Sequence, residues 1–254
     1  MSHNPSLASQ NALIVGATSR LAQAIAVEYA QRRVAIELAG RDAGELARIA
    51  ADLAIRHGAT VRTQPFDALS NESIDALAAE LLGRDALPSD LVFVIGYAEN
   101  LEQSHRDVAL AAQLLATNYA AIVRLLTQLM PRLESSRDHR IAFVGSVAGD
   151  RGRRTNFVYG AAKAALAAYA QGLRARLLPT GSQVLTIKLG YMDTRLAFGK
   201  TPGLITPQPR TVARSILAAM DRNAMVVYVP WYWRPIMTLL RLLPEAIFIR
   251  LPLP

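Results

Sequence analysis

The chain has 254 residues, with 28 Lys and Arg against 20 Asp and Glu, a formal charge of +8 and 52% hydrophobic residues. That length and apolar fraction support a sizeable core and exclude a disordered chain. Cysteine is absent, which excludes disulfide scaffolds, Cys-ligated metal sites and Cys nucleophiles, and the four histidines show no metal-ligand spacing.

Apolar runs of strand length alternate with longer stretches of helical period. Residues 12–16 read as a first strand and 21–31 as an amphipathic helix. Further strands are expected at 34–39, 60–66 and 91–95, with helices at 43–57, 71–82, 105–115 and 119–134. A fifth strand at 140–145, a long helix at 157–178 and a sixth strand at 184–189 follow, then a Pro/Gly-punctuated loop at 198–209, a helix at 210–221 and a short strand at 226–229. Continuous apolar strands interleaved with helices indicate a parallel sheet covered on both faces. The expectation is one doubly wound α/β domain over 1–230, including a substrate loop at 195–210, with an apolar and basic extension at 231–254. No apolar stretch free of Arg, Gln, Asn or Pro reaches the ~18 residues of a spanning helix, so no transmembrane segment is expected.

In such sheets ligands bind beyond the carboxyl ends of the strands. After the first strand comes Gly16-Ala-Thr18-Ser19-Arg20-Leu21-Ala22, a tight turn entering a helix whose free N–H groups suit a pyrophosphate. After the second strand, Arg41 stands near where NAD-specific folds place an acid against the ribose 2′-hydroxyl. A guanidinium there pairs with a 2′-phosphate, so NADP(H) is favoured, with NAD(H) open; the competing reading makes Arg41 a solvated residue and Asp42 only a helix N-cap. Ser146 ends the fifth strand, and Tyr159 and Lys163 stand at i and i+4 on one helix face. A nearby ammonium favours phenolate, and a Ser hydroxyl from a neighbouring strand can hold a carbonyl within reach of the phenol.

These residues resemble the short-chain dehydrogenase/reductase family over nearly the whole chain. The resemblance implies a Rossmann-type fold and a catalytic set of Tyr159 as acid/base, Lys163 on the nicotinamide ribose, Ser146 orienting substrate and Asn118 in a proton relay. It also implies adenine contact by Asp67, nicotinamide contact by Gly190 and Thr194, a cofactor position at Gly96, and assembly as a homodimer or homotetramer. The chain departs from the family pattern in three places. The glycine-rich turn reads Gly16-x-x-x-Arg20-Leu21-Ala22, the segment after the fourth strand reads Val94-Ile-Gly96-Tyr97, and Leu189 replaces a proline. Arg20 either assists NADP(H) or crowds the site, and the crowded case leaves an alternative: a nucleotide-sensing or membrane-associated interaction protein that kept the fold and lost its chemistry.

Charge is unevenly placed, with 13 basic and 16 acidic residues up to position 145 but 15 basic and 4 acidic after it. Arg151, Arg153 and Arg154, between Ser146 and Tyr159, suit a phosphate or carboxylate on the substrate, or else face solvent or a second subunit. The tail from Val226 to Pro254 holds both tryptophans and is punctuated by Arg234, Arg241 and Arg250. It fits an interfacial segment on an anionic membrane, and equally a tail that packs on its own domain or on a second subunit. The Arg-Arg-x-Asn-Phe-Val-Tyr-Gly string and the tail resemble decaprenylphosphoryl-2-keto-erythro-pentose reductases, which implies a keto sugar on a polyprenyl phosphate. No nucleic-acid reader motif is present. The first residues lack a secretory pattern, so the expected place is the cytoplasm, or the inner face of the membrane.

Overall fold

A computed structural model describes residues 11–192 and 206–251. Among them, seven parallel strands form one sheet in the order β3-β2-β1-β4-β5-β6-β7. The strands are β1 (Asn11–Val15), β2 (Ala35–Gly40), β3 (Val61–Pro65), β4 (Asp90–Phe93), β5 (Arg140–Val144), β6 (Gln183–Leu189) and β7 (Val226–Val229). The helices are α1 (Arg20–Gln31), α2 (Ala43–His57), α3 (Asn71–Leu82), α4 (Val108–Leu115), α5 (Ala121–Ser135), α6 (Phe157–Leu177), α7 (Pro209–Asp221), α8 (Trp233–Leu242) and α9 (Glu245–Phe248). The expected strands and helices are all present, with some ends displaced by one to three residues. Asp42 caps α2 by accepting from the Glu45 N–H at 2.9 Å, and Asp107 caps α4 by accepting from the Leu110 N–H at 3.0 Å.

Two-residue periodicity splits every central strand between two cores. Ala12 and Ile14 of β1 join Val92 and Ala142 on the face covered by α1, α2 and α7, while Leu13 and Val15 join Leu91, Phe93 and Phe143 on the face covered by α3, α5 and α6. The chain winds outward from β1 to β3, then returns to place β4 against the other side of β1. The crevice at this reversal is where an open α/β sheet holds ligands.

Val108–Ser135 form a continuous helical run of 28 residues, long and apolar enough to cross a membrane by length and composition. Here Ile122, Leu125, Leu126, Leu129 and Leu133 of its second half are buried in the α3–α5–α6 core. Between α4 and α5 the run carries a π-helical turn, Ala116–Ala120, which no periodicity signalled.

Candidate active site

The turn after β1 brings its backbone close to β4. Gly16 has φ of +87°, and a Cβ there would fall 2.8 Å from the Ile95 nitrogen, so a side chain is excluded by conformation and by space. Ser19 then caps α1, accepting from the Ala22 N–H at 3.1 Å. The crevice beside this turn is lined by Gly16, Thr18, Ser19, Arg41, Asp67 and Gly96 of the expected cofactor residues. Phe66, Tyr97, Gln113 and Thr117 line it too; the first two follow strands β3 and β4, the signal by which they were legible.

Four expected cofactor residues are not in this lining. Arg20 is exposed and is not among the residues that line the crevice. The Leu21 side chain is buried in the core against α1's neighbours, so this residue offers a ligand only its backbone. Thr194 lies outside the described residues. Gly190 follows β6, and a Cβ there would overlap the Trp233 indole, so the C-terminal helix packs directly on this turn. The cradle fits a dinucleotide: a side-chain-free turn, a capped helix start, and a crevice running from Arg41 to Gly96. Gly96 keeps the inner end open, since a Cβ there would stand 3.4 Å from Asn118 Oδ1 and 3.6 Å from Lys163 Nζ.

The structure brings Ser146, Tyr159, Lys163 and Asn118 to this inner end. Ser146 leaves β5 in extended conformation and accepts the Ala148 N–H at 3.1 Å, while its hydroxyl is hydrogen-bonded to the Tyr159 phenol. With the amide occupying a lone pair, the single hydroxyl proton is available to the phenol oxygen. Lys163 is buried, and its ammonium lies 5.8 Å from the centroid of the Tyr159 ring and donates to the Val144 carbonyl at 3.2 Å.

The π-helical turn carries Asn118 into the interior. Its amide donates to the Tyr97 carbonyl at 2.8 Å and to the Leu114 carbonyl at 2.9 Å, and its oxygen accepts the Tyr97 N–H at 3.3 Å. One donor hydrogen is thereby committed to the loop after β4 and the other to α4, leaving acceptor capacity on the oxygen near Lys163.

The electrostatics differ from the sequence expectation. Burial pushes the Tyr159 phenol above its ordinary value, opposed by the Ser146 hydrogen bond and the nearby Arg153 cation. Lys163 is itself lowered to about 8 by burial. The lowering influence expected from the lysine thus comes from Ser146 and Arg153, because a desolvated ammonium is costly to keep charged.

The three loop arginines separate. Arg153 lies close enough to Tyr159 to act on its titration, and Arg154 is exposed. Arg151, expected at the substrate opening, instead donates to the Leu240 carbonyl and, at 2.7 Å, to the Leu243 carbonyl, with its guanidinium 4.1 Å from the Phe248 ring centroid. Its hydrogen-bonding capacity goes to the carbonyls at the end of α8, where a cation is favoured.

The sequence pattern of the short chain dehydrogenase family matches residues 10–203. An uncharacterized oxidoreductase of Mycobacterium tuberculosis is 34% identical over 215 residues, 85% of this chain and 86% of the relative. Another, from Streptomyces coelicolor, is 32% identical over 246 residues, 94% of each chain. Among solved structures, a short-chain dehydrogenase from Sphingobium yanoikuyae in complex with NADPH superposes with a TM-score of 0.80 at 23% identity, covering 93% of this chain and 97% of that one. The chain therefore belongs to the short-chain dehydrogenase/reductase family and is an NAD(P)-dependent oxidoreductase.

Proposed function

We propose that the protein reduces a ketone on an anionic substrate, using NADPH, with Tyr159 as the proton donor. The observation that carries this reading is a phenol held above its ordinary pKa and hydrogen-bonded to Ser146, at the inner end of a crevice fit for a dinucleotide. A phenol protonated at neutral pH is an acid, which suits reduction of a carbonyl; oxidation of an alcohol needs it as a base.

The dinucleotide, when bound, supplies the hydride to the carbonyl carbon. Ser146 holds the carbonyl oxygen, and Tyr159 delivers its proton to that oxygen as charge develops there. Arg153 offsets the negative charge left on the phenol, and Lys163 beneath the ring adds to this while it remains protonated. Asn118 acts on the loop after β4, keeping Gly96 and Tyr97 along the crevice wall. Thr18, Ser19 and the start of α1 would hold the pyrophosphate, Asp67 the adenine end, and Arg41 a 2′-phosphate. The NADPH bound to the Sphingobium yanoikuyae structure supports the choice of the phosphorylated cofactor.

Arg153 beside the phenol and the exposed Arg154 support an anionic group on the substrate. A keto-pentose on a polyprenyl phosphate is the narrowest form of this proposal. Assembly as a homodimer or homotetramer is the expected form of the working enzyme.

Tyr159→Phe lowers kcat for ketone reduction by about 10²- to 10⁴-fold while NADPH binding, read by fluorescence titration, stays unchanged; near-normal turnover refutes the assignment. Arg41→Ala raises the Kd for NADPH about tenfold and leaves that for NADH within about twofold, since a charge-assisted phosphate contact contributes roughly 1.5–3 kcal/mol. In the free enzyme Lys163 carries its proton below pH of about 8 and loses it above. The pH profile of kcat/KM for reduction therefore declines above about pH 8, and a profile flat through this range opposes a role for the lysine charge. Arg153→Met raises KM about tenfold for a phosphate-bearing ketone but not for a neutral one, as compared by steady-state kinetics on both substrates.

A further inference from the structure

Helices α8 and α9 form a short hairpin with two apolar sides. The inner side is used by the domain: Trp233 lies on Gly190, Met237 and Phe248 are buried, and Arg151 ties down the carbonyls of Leu240 and Leu243. A second tether runs through Asp150, which accepts from Lys188 at 2.6 Å and from the Tyr228 hydroxyl at 2.8 Å, with Arg241 of α8 against the same tyrosine. The hairpin is thus held firmly, and its packing leaves the other side uncovered.

On that outer side Leu239 is 65% exposed, Leu242 77% and Ile249 67%, with Trp231 at 77% where the chain enters α8. Ile236 and Ile247 are also exposed. On α8, positions 235, 239 and 242 fall within one narrow arc of the helix, opposite the buried Met237. Exposed single hydrophobics are ordinary, but a helix with Leu239 and Leu242 exposed on one arc opposite its buried residue, followed by exposed Ile247 and Ile249, is not. Arg234 and Arg250 beside it are exposed, Arg241 is held against Tyr228, and Glu245 is the one acid between Trp231 and Leu251.

We infer that the outer face of α8 and α9 docks on an anionic lipid bilayer. Charge complementarity decides the occupant. An isologous pair of these faces would bring Arg234 and Arg250 of both copies together with a single carboxylate from each, which is unfavourable. An anionic bilayer surface accepts the arginines at headgroup depth while Leu239, Leu242 and Ile249 enter the acyl boundary and Trp231 sits at the interface. Arg151 and Trp233 fasten this segment to the turns after β5 and β6, so docking holds those turns close to the membrane. The docking stands on the surface alone and does not require the reductase reading.

The test is co-sedimentation of the full chain with phosphatidylcholine vesicles, with and without phosphatidylglycerol. The expected result is binding to the anionic vesicles, weakened about tenfold by Leu239→Ser with Leu242→Ser, and about tenfold by Arg234→Gln with Arg250→Gln or by about 1 M salt. The substituted residues are exposed, so NADPH binding and the unfolding midpoint should match the parent chain, and a Trp emission shift to the blue should accompany binding. Absence of binding, or binding that neither pair of substitutions alters, overturns the inference. So does a dimer that the leucine substitutions dissociate in light scattering without any vesicle binding, which would assign the face to a second copy.

Discussion

The approach of the turn after β5 to helix α6 is the constraint on which the rest of the site depends. A Cβ at Gly149 would stand 2.7 Å from the Ala164 nitrogen and 2.7 Å from the Lys163 carbonyl carbon, and one at Gly160 would stand 2.9 Å from the Ala148 carbonyl oxygen. Backbone therefore lies on backbone from both sides, at a separation that a side chain on either glycine would prevent. This contact brings the Ser146 hydroxyl to the Tyr159 phenol and sets Lys163 one helical turn further on, beneath the ring and against the end of β5. Gly145 repeats the device toward β6, where a Cβ would stand 2.9 Å from the Ile187 carbonyl oxygen.

Burial then acts on the groups so assembled. It raises the phenol and lowers the lysine, pushing the two ionisations apart because in each case burial disfavours the charged form. The interior tolerates Lys163 because its ammonium has the Val144 carbonyl as partner. Asn118 satisfies its amide through the backbone of Tyr97 and Leu114, and so couples the π-helical turn to the loop that walls the crevice. At the opposite end of the sheet the ionic interactions are structural: Asp90, buried, receives two hydrogen bonds from Arg140 and one from Tyr29.

The positive charge of the second half divides on the same lines. Arg174 donates to the Val184 and Met225 carbonyls, Arg214 and Arg176 pair with Glu28 and Glu134, and Lys188 and Arg151 hold the loop and tail together. A good part of what the sequence presents as a basic face is therefore paired within the chain. What stands near Tyr159 and on the tail is narrower: Arg153 and Arg154 ahead of α6, and Arg234 and Arg250 on the tail, with Arg241 held against Tyr228.

The order of strands and helices was legible because burial on both sheet faces demands continuous apolar runs, and capping residues such as Asp42 mark helix starts in the sequence. The spacing of Ser146, Tyr159 and Lys163 was legible because a strand end and one helical turn are local geometry. Other features depend on contacts between distant segments. The π-helical turn at Asn118, the placement of Leu21 in the core and of Arg20 in solvent, and the capture of Arg151 by α8 carry no local periodic signal. The sequence by itself determined which chemistry-bearing residues lie at strand ends, since that follows from short-range backbone rules. Only the tertiary structure decided which of them meet, because a side chain's partner and its desolvation are set by whatever packs across from it.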